Sequence, residues 1–431
     1  MSFLALWRRL RPSPRHPLAG LALLLLATSS AATDTLNLST AMAKTLALHP
    51  ALNVFALRQQ SLHAQSQSAQ QRPGYRLDIE AENFAGSGAF GGFDNADISL
   101  SLSSTLELGG KRAARAASAS AGLALLNTQR ELQALQLLGE LTRRYIDALA
   151  AQQRIALAES GVALAETSLA QVQRRARAGA VPKAEIKRAE AALGQAQLSL
   201  HSEQNSARNA LTSLAALWGE AELDARTQLQ GELFLPAQDR PFAQLYQQLQ
   251  NHPAVAAFTE QRRLKAAALR LQQSERRFDI DWSVGLRRFQ GSDDSALLAG
   301  ISLPLFSQRR GQGAVSAARA ELAQVDAEQQ AALWQLRAQL QRAYNNRQQA
   351  MHTVQQLRQQ IIPALQVAVA ETRTAYERGR YSYRDYASAI VELVAARRRA
   401  IDAAAAALRY RAEIEQMTAQ SLSAITPIFQ D

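Results

Sequence analysis

The 431-residue chain has no cysteine, and only 6% of its residues are aromatic. The lack of cysteine excludes disulfide bonds, thiolate metal sites and cysteine nucleophiles, and it excludes a lipid-modified cysteine at a processed N-terminus. Although 47% of the residues are hydrophobic, the low aromatic content is unusual for a chain of several globular domains. Because alanine, leucine, glutamine and arginine dominate instead, the composition predicts long, closely packed helices.

The first 32 residues have the features of an export signal. A basic head precedes the apolar stretch LAGLALLLLA at 18–27, and the small residues SSAA follow. The head contains Arg8, Arg9, Arg11 and Arg15. Because the apolar stretch is too short to span a bilayer, we interpret residues 1–32 as a cleaved signal peptide, with a membrane anchor as the alternative. Without these four arginines the formal net charge falls from +11 to +7. The other basic residues are distributed along helical stretches, so we expect solvated helix faces and no nucleic-acid partner.

The sequence contains an internal duplication with a period of roughly 200 residues. The matching segments are ALHPAL at 47–52 and QNHPAV at 250–255, Tyr145 and Tyr344, and RAGAVPK at 177–183 and ERGRYSY at 377–383. Between them, residues 218–241 lack helical periodicity and contain two prolines. We therefore predict repeats at 33–217 and 242–420, joined by a linker at 218–241 and followed by a tail at 421–431.

Each repeat is predicted to contain a helix, a β-hairpin, a very long helix, a glycine-containing turn and a further helix. Apolar residues recur at steps of three and four, as the faces of helices require. The very long helices are predicted at 112–177 and 310–376, and about 1.5 Å of rise per residue gives each a length of about 100 Å. The shorter helices are predicted at 51–71, 183–217, 254–276 and 384–418. Stacked end to end, each pair of shorter helices matches a long one, so the sequence predicts a tall bundle.

The predicted hairpins alternate apolar and polar residues. In YRLDIEAEN, for example, Leu77 and Ile79 alternate with acidic residues. The strands are predicted at 75–84, 97–108, 278–289 and 296–305. This length is typical of tilted strands that cross an outer membrane, although one hairpin alone would also fit an amphipathic sheet on a soluble core. Four strands cannot close on themselves and a membrane tolerates no open sheet edge, so two, three or four copies would have to share a barrel.

In its export signal, its duplication and its hairpins between long helices, the mature chain resembles the TolC family of outer-membrane efflux ducts. The segments LELGGKRAAR at 106–115 and LPLFSQRRGQG at 303–313 resemble the strand-to-helix junctions of the heavy-metal efflux subgroup typified by CzcC. The resemblance implies a fold that is mainly α with transmembrane β, in which a homotrimer forms one 12-stranded β-barrel and a periplasmic α-helical barrel. It also implies a periplasmic adaptor (membrane fusion) protein, an inner-membrane pump, commonly of the resistance-nodulation-division type, and no cofactor.

The resemblance places adaptor-docking tips at the two turns that join long helices. The tip residues are Arg177, Gly179, Pro182, Arg378, Gly379 and Ser382. Turn formation alone would also explain them. The glycines suit left-handed helix C-caps, Pro182 suits a first helical turn, and Ser382 with Asp385 forms a capping-box pattern. Turn chemistry and docking therefore both remain possible roles.

Channels of the TolC family close an aperture near these turns. Tyr376 and Asp385 fall on the corresponding positions, and Arg384 is placed to pair across protomers. A second acidic position, expected one turn later, is Ser388 in this sequence. The resemblance therefore implies an aperture that lacks the usual acidic ring.

The strand-to-helix junctions could be mistaken for phosphate loops. The junction residues are Gly109, Gly110, Lys111, Arg112, Arg309, Arg310 and Gly311. A phosphate loop requires the spacing GxxxxGK[ST], whereas Lys111 is followed by Arg112 in a chain with an export signal. We instead expect the glycines to permit the change from sheet to helix, and Lys111, Arg112 and Arg115 to lie at the lipid interface.

No pattern of catalytic or metal-binding residues stands out, so we do not expect an enzyme. The six histidines are isolated and the four methionines form no cluster. The acidic residues of the strands would at most lower the barrier for cations, with cargo selection at the pump. These residues are Asp78, Glu80, Glu82, Asp279 and Asp281. The predicted function is an outer-membrane exit duct for divalent heavy-metal cations, with drug or protein export as alternatives. A periplasmic adaptor and a structural coiled-coil protein are the alternatives from other classes.

Overall fold

The computed structural model describes residues 35–224, 226–236, 240–305 and 311–419. The predicted signal peptide at 1–32 and the predicted tail at 421–431 lie outside these residues. The described α-helices are α1 (Leu38–Leu48), α2 (Pro50–Ala69), α3 (Lys111–Arg177), α4 (Lys183–Ala215), α5 (Phe242–Leu249), α6 (Pro253–Glu275), α7 (Gln312–Gln356), α8 (Ile362–Glu377) and α9 (Tyr383–Met417). The described strands are β1 (Thr35–Leu36), β2 (Arg76–Glu82), β3 (Asp97–Leu106), β4 (Gln228–Leu229), β5 (Ile280–Phe289) and β6 (Asp294–Ser302). The prediction of a mainly helical chain is therefore confirmed.

Four of the strands form one antiparallel sheet in the order β2-β3-β5-β6. The two hairpins are joined where β3 pairs with β5, so the sheet combines strands from both halves of the sequence. Strands β2 and β6 are the edges of this sheet. A separate parallel pair joins β1 to β4, with Leu36 opposite Leu229.

Helix α3 forms the axis around which the other helices pack. It has 67 residues, which at about 1.5 Å of rise per residue gives a length of about 100 Å. It packs against α2 and α6 on the side of the sheet and against α4 and α9 on the side of the turns. Helix α9 also packs against α7 and α8. Because α3 belongs to the first half of the sequence and α9 to the second, the two halves share one bundle. No helix of the described residues combines the length and the apolar character that a membrane span requires.

Two histidine–proline pairs begin helices in the two halves. The Nδ1 atom of His49 accepts a hydrogen bond from Ala51 N at 3.2 Å, and that of His252 accepts one from Ala254 N at 3.1 Å. In each case the following proline occupies the first helical position, where its missing N–H has no cost. Capping therefore accounts for the Nδ1 atom of both rings, and the Nε2 atom of the buried His252 ring lies 3.1 Å from the backbone oxygen of Gln416.

The largest hydrophobic cluster surrounds Tyr145 near the middle of α3. The Tyr145 hydroxyl lies 2.6 Å from the backbone oxygen of Leu36 and 2.8 Å from that of Gln230. Side chains of α1, α4, α9 and the segment after β4 complete the cluster. Neither the β1–β4 pair nor the short helices α1 and α5 is predicted by the sequence pattern. They nevertheless give the region around the linker an ordered core.

The second long helical segment is divided, whereas the sequence predicts one helix at 310–376. A π-helical turn at Leu357–Ile361 separates α7 from α8, and Ile362 N–H donates to Leu357 O across it. Pro363 follows directly and is exposed. Proline lacks an N–H and its ring clashes with the carbonyl four residues earlier, so a wider turn relieves the crowding. The first half has Ala163 at the equivalent position, and α3 continues through it without a break.

Candidate functional site

The four-stranded sheet has one apolar and one polar face. Its register places Ile79, Leu100, Leu286 and Leu297 in a single row across β2, β3, β5 and β6. These four side chains are exposed by 73%, 45%, 56% and 80%. A soluble protein rarely leaves so continuous an apolar face open to water, because each buried apolar side chain contributes about 1.5–3 kcal/mol. The apolar face therefore requires an apolar environment.

The polar face carries the acidic residues that are predicted to lower a cation barrier. Most of them already have partners. Arg287 donates a hydrogen bond to Ser99 Oγ at 2.8 Å and forms an ion pair with Glu82 at 2.8 Å. Asp78 accepts a hydrogen bond from Ser103, and Asp281 accepts one from Thr105. Because Arg287 offsets the charge of Glu82, the face is less acidic than its carboxylates alone predict.

The first strand-to-helix junction is closed by a partly buried ion pair. Lys111 Nζ lies 2.6 Å from Asp279 Oδ2, and Asp279 Oδ1 accepts a hydrogen bond from Leu108 N at 3.1 Å. Lys111 is only 8% exposed, so its ammonium group is held by Asp279 within the chain, and its place at the lipid interface stays a prediction. Arg115 is likewise paired, with Glu107, whereas Arg112 is exposed. The pairing has a simple cause, because β3 and β5 are neighbours and their ends bring both segments together.

At three junction positions glycine is required, for different structural reasons. Gly109 and Gly110 both have a φ of 75°, in the left-handed region that glycine tolerates best. A Cβ atom on Gly109 would also lie 2.8 Å from the Arg277 side chain. Gly311 has an ordinary φ, but its Cβ would lie 2.6 Å from Arg276 Cγ. The predicted junction residues Arg309 and Arg310 lie outside the described residues.

At the opposite end of the bundle, two turns join α3 to α4 and α8 to α9. Gly179 and Gly379 follow the helix ends with φ values of 73° and 75°. Ala180 N donates to Arg175 O at 2.9 Å, and Arg380 N donates to Ala375 O at 2.9 Å. These are the backbone bonds of Schellman-type helix ends, which satisfy carbonyls that would otherwise lack partners. Arg177 and Arg378 lie beside these turns and are exposed.

The two following helices begin differently. Pro182 is the N-cap residue of α4, so the expectation of a place inside the first helical turn is wrong. Ser382 and Asp385 form a full capping box at the start of α9. Asp385 N donates to Ser382 Oγ at 3.3 Å, and Asp385 Oδ2 accepts from Ser382 N at 3.1 Å. Hydrogen bonds from Ser382 lower the pKa of Asp385.

A cluster of tyrosines holds the two turns together. Tyr376 stacks on Tyr386 with ring centroids 5.9 Å apart and meets the edge of Tyr383 at 6.1 Å. All three are at most 4% exposed, and burial raises the pKa of Tyr376 and of Tyr386. The guanidinium of Arg175 lies 4.4 Å from the Tyr376 ring centroid and donates to Tyr376 O, so α3 is tied directly to α8.

The predicted aperture residues therefore lie close in sequence but in different environments. Tyr376 is buried, Asp385 caps its own helix, and Arg384 is exposed and makes no ion pair with the described residues. Ser388 donates to Glu392 at 3.2 Å. Sequence reasoning missed Arg175 and the role of Tyr383 and Tyr386. Four tyrosines within eleven residues, of which Tyr381 alone is exposed, were the available signal for a packed cluster.

In the part of the chain that the structure describes, no three His, Asp or Glu side chains are arranged to hold a metal ion. Glu203, on α4, is buried between Arg154 and Arg398, at 3.2 Å and 2.7 Å. This network joins α4 to α3 and α9, and thus ties the two halves together.

Comparison with known proteins gives consistent matches. Residues 41–220 match the family model described as outer membrane efflux protein. The chain is 28% identical over 301 residues to the cobalt-zinc-cadmium resistance protein CzcC of Cupriavidus metallidurans, covering 68% of this chain and 70% of that protein. It is 28% identical over 297 residues to the nickel-cobalt-cadmium resistance protein NccC of Alcaligenes xylosoxydans, covering 68% and 67%. Its fold is similar to a solved structure of CusC, which forms a transmembrane channel, with a TM-score of 0.73 and 16% identity over 94% of this chain and 98% of that one.

Proposed function

We infer that this chain is an outer membrane efflux protein of the TolC family, and that it is the exit duct through which a tripartite system passes divalent heavy-metal cations out of a Gram-negative cell. The TolC-family resemblance, with its heavy-metal subgroup, is confirmed by the family match and by the two relatives. Members of the family are channels. The observation that carries the proposal is the exposed apolar face of a sheet whose strand β3 leads into the 67-residue helix α3, about 100 Å long.

The sheet edges support a closed ring of copies, and the family resemblance sets their number at three, a homotrimer. β2 and β6 would leave unpaired backbone groups in the hydrocarbon region, and each unsatisfied group there costs several kcal/mol. Pairing β6 of one copy with β2 of the next removes all edges if the copies form a ring. Three copies give twelve strands, with the polar face towards the lumen. The long helices would then form the α-helical barrel in the periplasm.

The remaining parts of the proposal follow from the family. Residues 1–32 would direct export, and the chain would reside in the outer membrane without a lipid anchor. The two sequence repeats, at 33–217 and 242–420, would contribute equivalent columns to the tunnel. The tips around Gly179 and Gly379 would dock a periplasmic adaptor, which connects the duct to an inner-membrane pump of the resistance-nodulation-division type.

The choice of cargo is supported by the names of CzcC and NccC, which are resistance proteins for cobalt, zinc, nickel and cadmium. Tolerance tests in cells address it directly. Deleting the gene should sensitise cells to these cations, and the intact gene should restore tolerance. If cation tolerance is unchanged and the cells become sensitive to drugs or detergents, the cargo is a drug and not a metal cation. Loss of a secreted protein alone would indicate protein export.

Membrane fractionation separates the duct from proteins of other classes. A duct should be found in the outer membrane as a detergent-resistant trimer. A soluble periplasmic protein would instead favour an adaptor or a structural coiled coil, and the duct proposal would be abandoned.

A further inference from the structure

The positive charge of the chain is concentrated at the tips. Residues 174–190 and 373–385 contain ten Lys and Arg residues and four Asp and Glu residues, a net charge of +6. The whole sequence has a net charge of +11, of which four charges belong to the arginines of the predicted signal peptide. Thirty residues at one end of the bundle thus hold almost all the excess charge of the predicted mature chain.

Most of these basic groups make no ion pair with a described residue. Lys187 pairs with Glu190 and Arg373 pairs with Glu377, while Arg175 contacts Tyr376. Seven others are exposed and make no ion pair with any described residue. They are Arg174, Arg177, Lys183, Arg188, Arg378, Arg380 and Arg384. The surface is therefore strongly basic in the folded protein.

Helix stability does not explain this pattern. Arg174 and Arg177 lie in the last turn of α3, where a basic group favourably meets the negative end of the helix dipole. Lys183 and Arg188 lie in the first two turns of α4, and Arg384 lies in the first turn of α9. At a helix N-terminus a basic group is disfavoured, and an acidic one would contribute about 0.3–1 kcal/mol. Lys183 and Arg384 are thus placed against the needs of their own helices, whereas Arg188 lies beyond the first turn.

We propose that the two tips of each chain dock onto an acidic protein surface, namely a partner whose helical-hairpin turns carry exposed Asp and Glu residues. This inference rests on the proposed function, because it describes the surface of the adaptor that meets the duct. Charge complementarity of this kind accelerates encounter and rejects wrong partners, and it weakens as salt screens the charges. The tyrosine cluster and Arg175 hold the tips in one arrangement before binding, as a rigid protein partner requires and a fluid lipid surface does not.

Cross-linking in living cells tests the proposal. Because the chain has no cysteine, Ala180→Cys gives one thiol on the exposed first tip, which can be labelled with a benzophenone maleimide and irradiated. Peptide mapping should then identify a periplasmic protein segment with a net negative charge. A neutral or basic segment, or adducts with lipid or peptidoglycan only, would overturn the proposal.

A charge-reversed variant makes the test quantitative. Lys183→Glu, Arg188→Glu and Arg384→Glu together should lower the cross-linking yield about tenfold, as expected for the loss of several complementary charges. Lys183→Glu and Arg384→Glu place acidic groups in first helical turns, where they are favoured, and Arg188 is exposed, so the variant should fold as well as the native chain. The matched control is Arg130→Glu with Arg208→Glu and Arg319→Glu, three exposed positions away from the tips.

An equal loss in variant and control, or no loss in the tip variant, would contradict the proposal. Cation tolerance is measured in the same cells. If the native chain restores no cation tolerance, the proposed cargo fails, yet the cross-linking result still decides the nature of the partner surface.

Discussion

Lys111 Nζ lies 2.6 Å from Asp279 Oδ2, which joins the first residue of α3 to the segment that precedes β5. The two residues are 168 positions apart, one in each half of the sequence. Asp279 also accepts the hydrogen bond of Leu108 N. A single carboxylate thus fixes the direction in which α3 leaves the sheet, at the place where barrel and tunnel would meet.

Removing the carboxylate should destabilise the junction. Asp279→Leu leaves the Lys111 charge largely buried without its partner, and a hydrogen bond to a charged group contributes about 1.5–3 kcal/mol. We expect a loss of this size in the free energy of unfolding, measured by circular dichroism in detergent. The double change with Lys111→Met should recover part of it, since no charge remains buried.

The neighbouring Arg112→Met change is the control, because Arg112 is exposed. Its effect should stay within about 0.5 kcal/mol, as is usual for surface substitutions. Equal effects of Asp279→Leu and Arg112→Met would contradict the structural role of the ion pair.

The two adjacent glycines should differ in their tolerance of alanine. Gly110→Ala has space for its Cβ but requires the left-handed conformation, which costs about 1–2 kcal/mol. Gly109→Ala adds a clash with Arg277, and such overpacking costs about 1–3 kcal/mol more. Thermal unfolding of the two variants should rank them in this order. The reverse order would mean that the Arg277 side chain moves away without cost.

Some of these features can be predicted from the sequence and others cannot. Alternation with a period of two identifies Ile79 and Leu100 as members of one sheet face, because side chains of a strand must alternate. It does not reveal that Lys111 meets Asp279, because strand alternation does not specify how hairpins from distant parts of the chain pair. Arg175 was missed for a similar reason. Its contact with Tyr376 depends on how two helix ends pack, and many arginines share its local pattern.

Two buried tyrosines should respond oppositely to loss of the hydroxyl. Tyr145→Phe removes a group that lies within hydrogen-bond distance of Leu36 O and Gln230 O, and it should cost about 1–2 kcal/mol. The Tyr376 hydroxyl is buried and has no hydrogen-bond partner among the described residues. Tyr376→Phe should therefore be neutral or stabilising, because an unsatisfied polar group leaves the interior. A clear loss of stability in Tyr376→Phe would reveal a partner for its hydroxyl.

Stability should fall in mild acid through His252. Burial lowers the pKa of this ring below its usual value of 6.5. Below about pH 6.5 the unfolded chain therefore binds a proton that the folded protein resists, so the free energy of unfolding decreases as the pH falls. His252→Asn keeps a capping acceptor and removes the titrating group. Melting curves at about pH 7.5 and pH 5.5 should show a smaller pH effect in this variant, and an unchanged difference would exclude His252 as the cause.

The interrupted helix of the second half permits a reciprocal test with a control inside the same chain. Pro363 follows the π-helical turn, and Ala163 is its equivalent in the unbroken α3. Both side chains are exposed, so packing of the side chain itself contributes little at either site. Ala163→Pro should cost about 3 kcal/mol or more, because α3 has no wide turn to accommodate the ring. Pro363→Ala should change stability by about 1 kcal/mol or less, since the wide turn already satisfies Ile362 N–H. Thermal unfolding of both variants measures the effect of exchanging alanine and proline in the unbroken helix α3 and after the π-helical turn. Similar tolerance of proline at both positions would mean that the π-helical turn is imposed by packing around Leu357 rather than by Pro363.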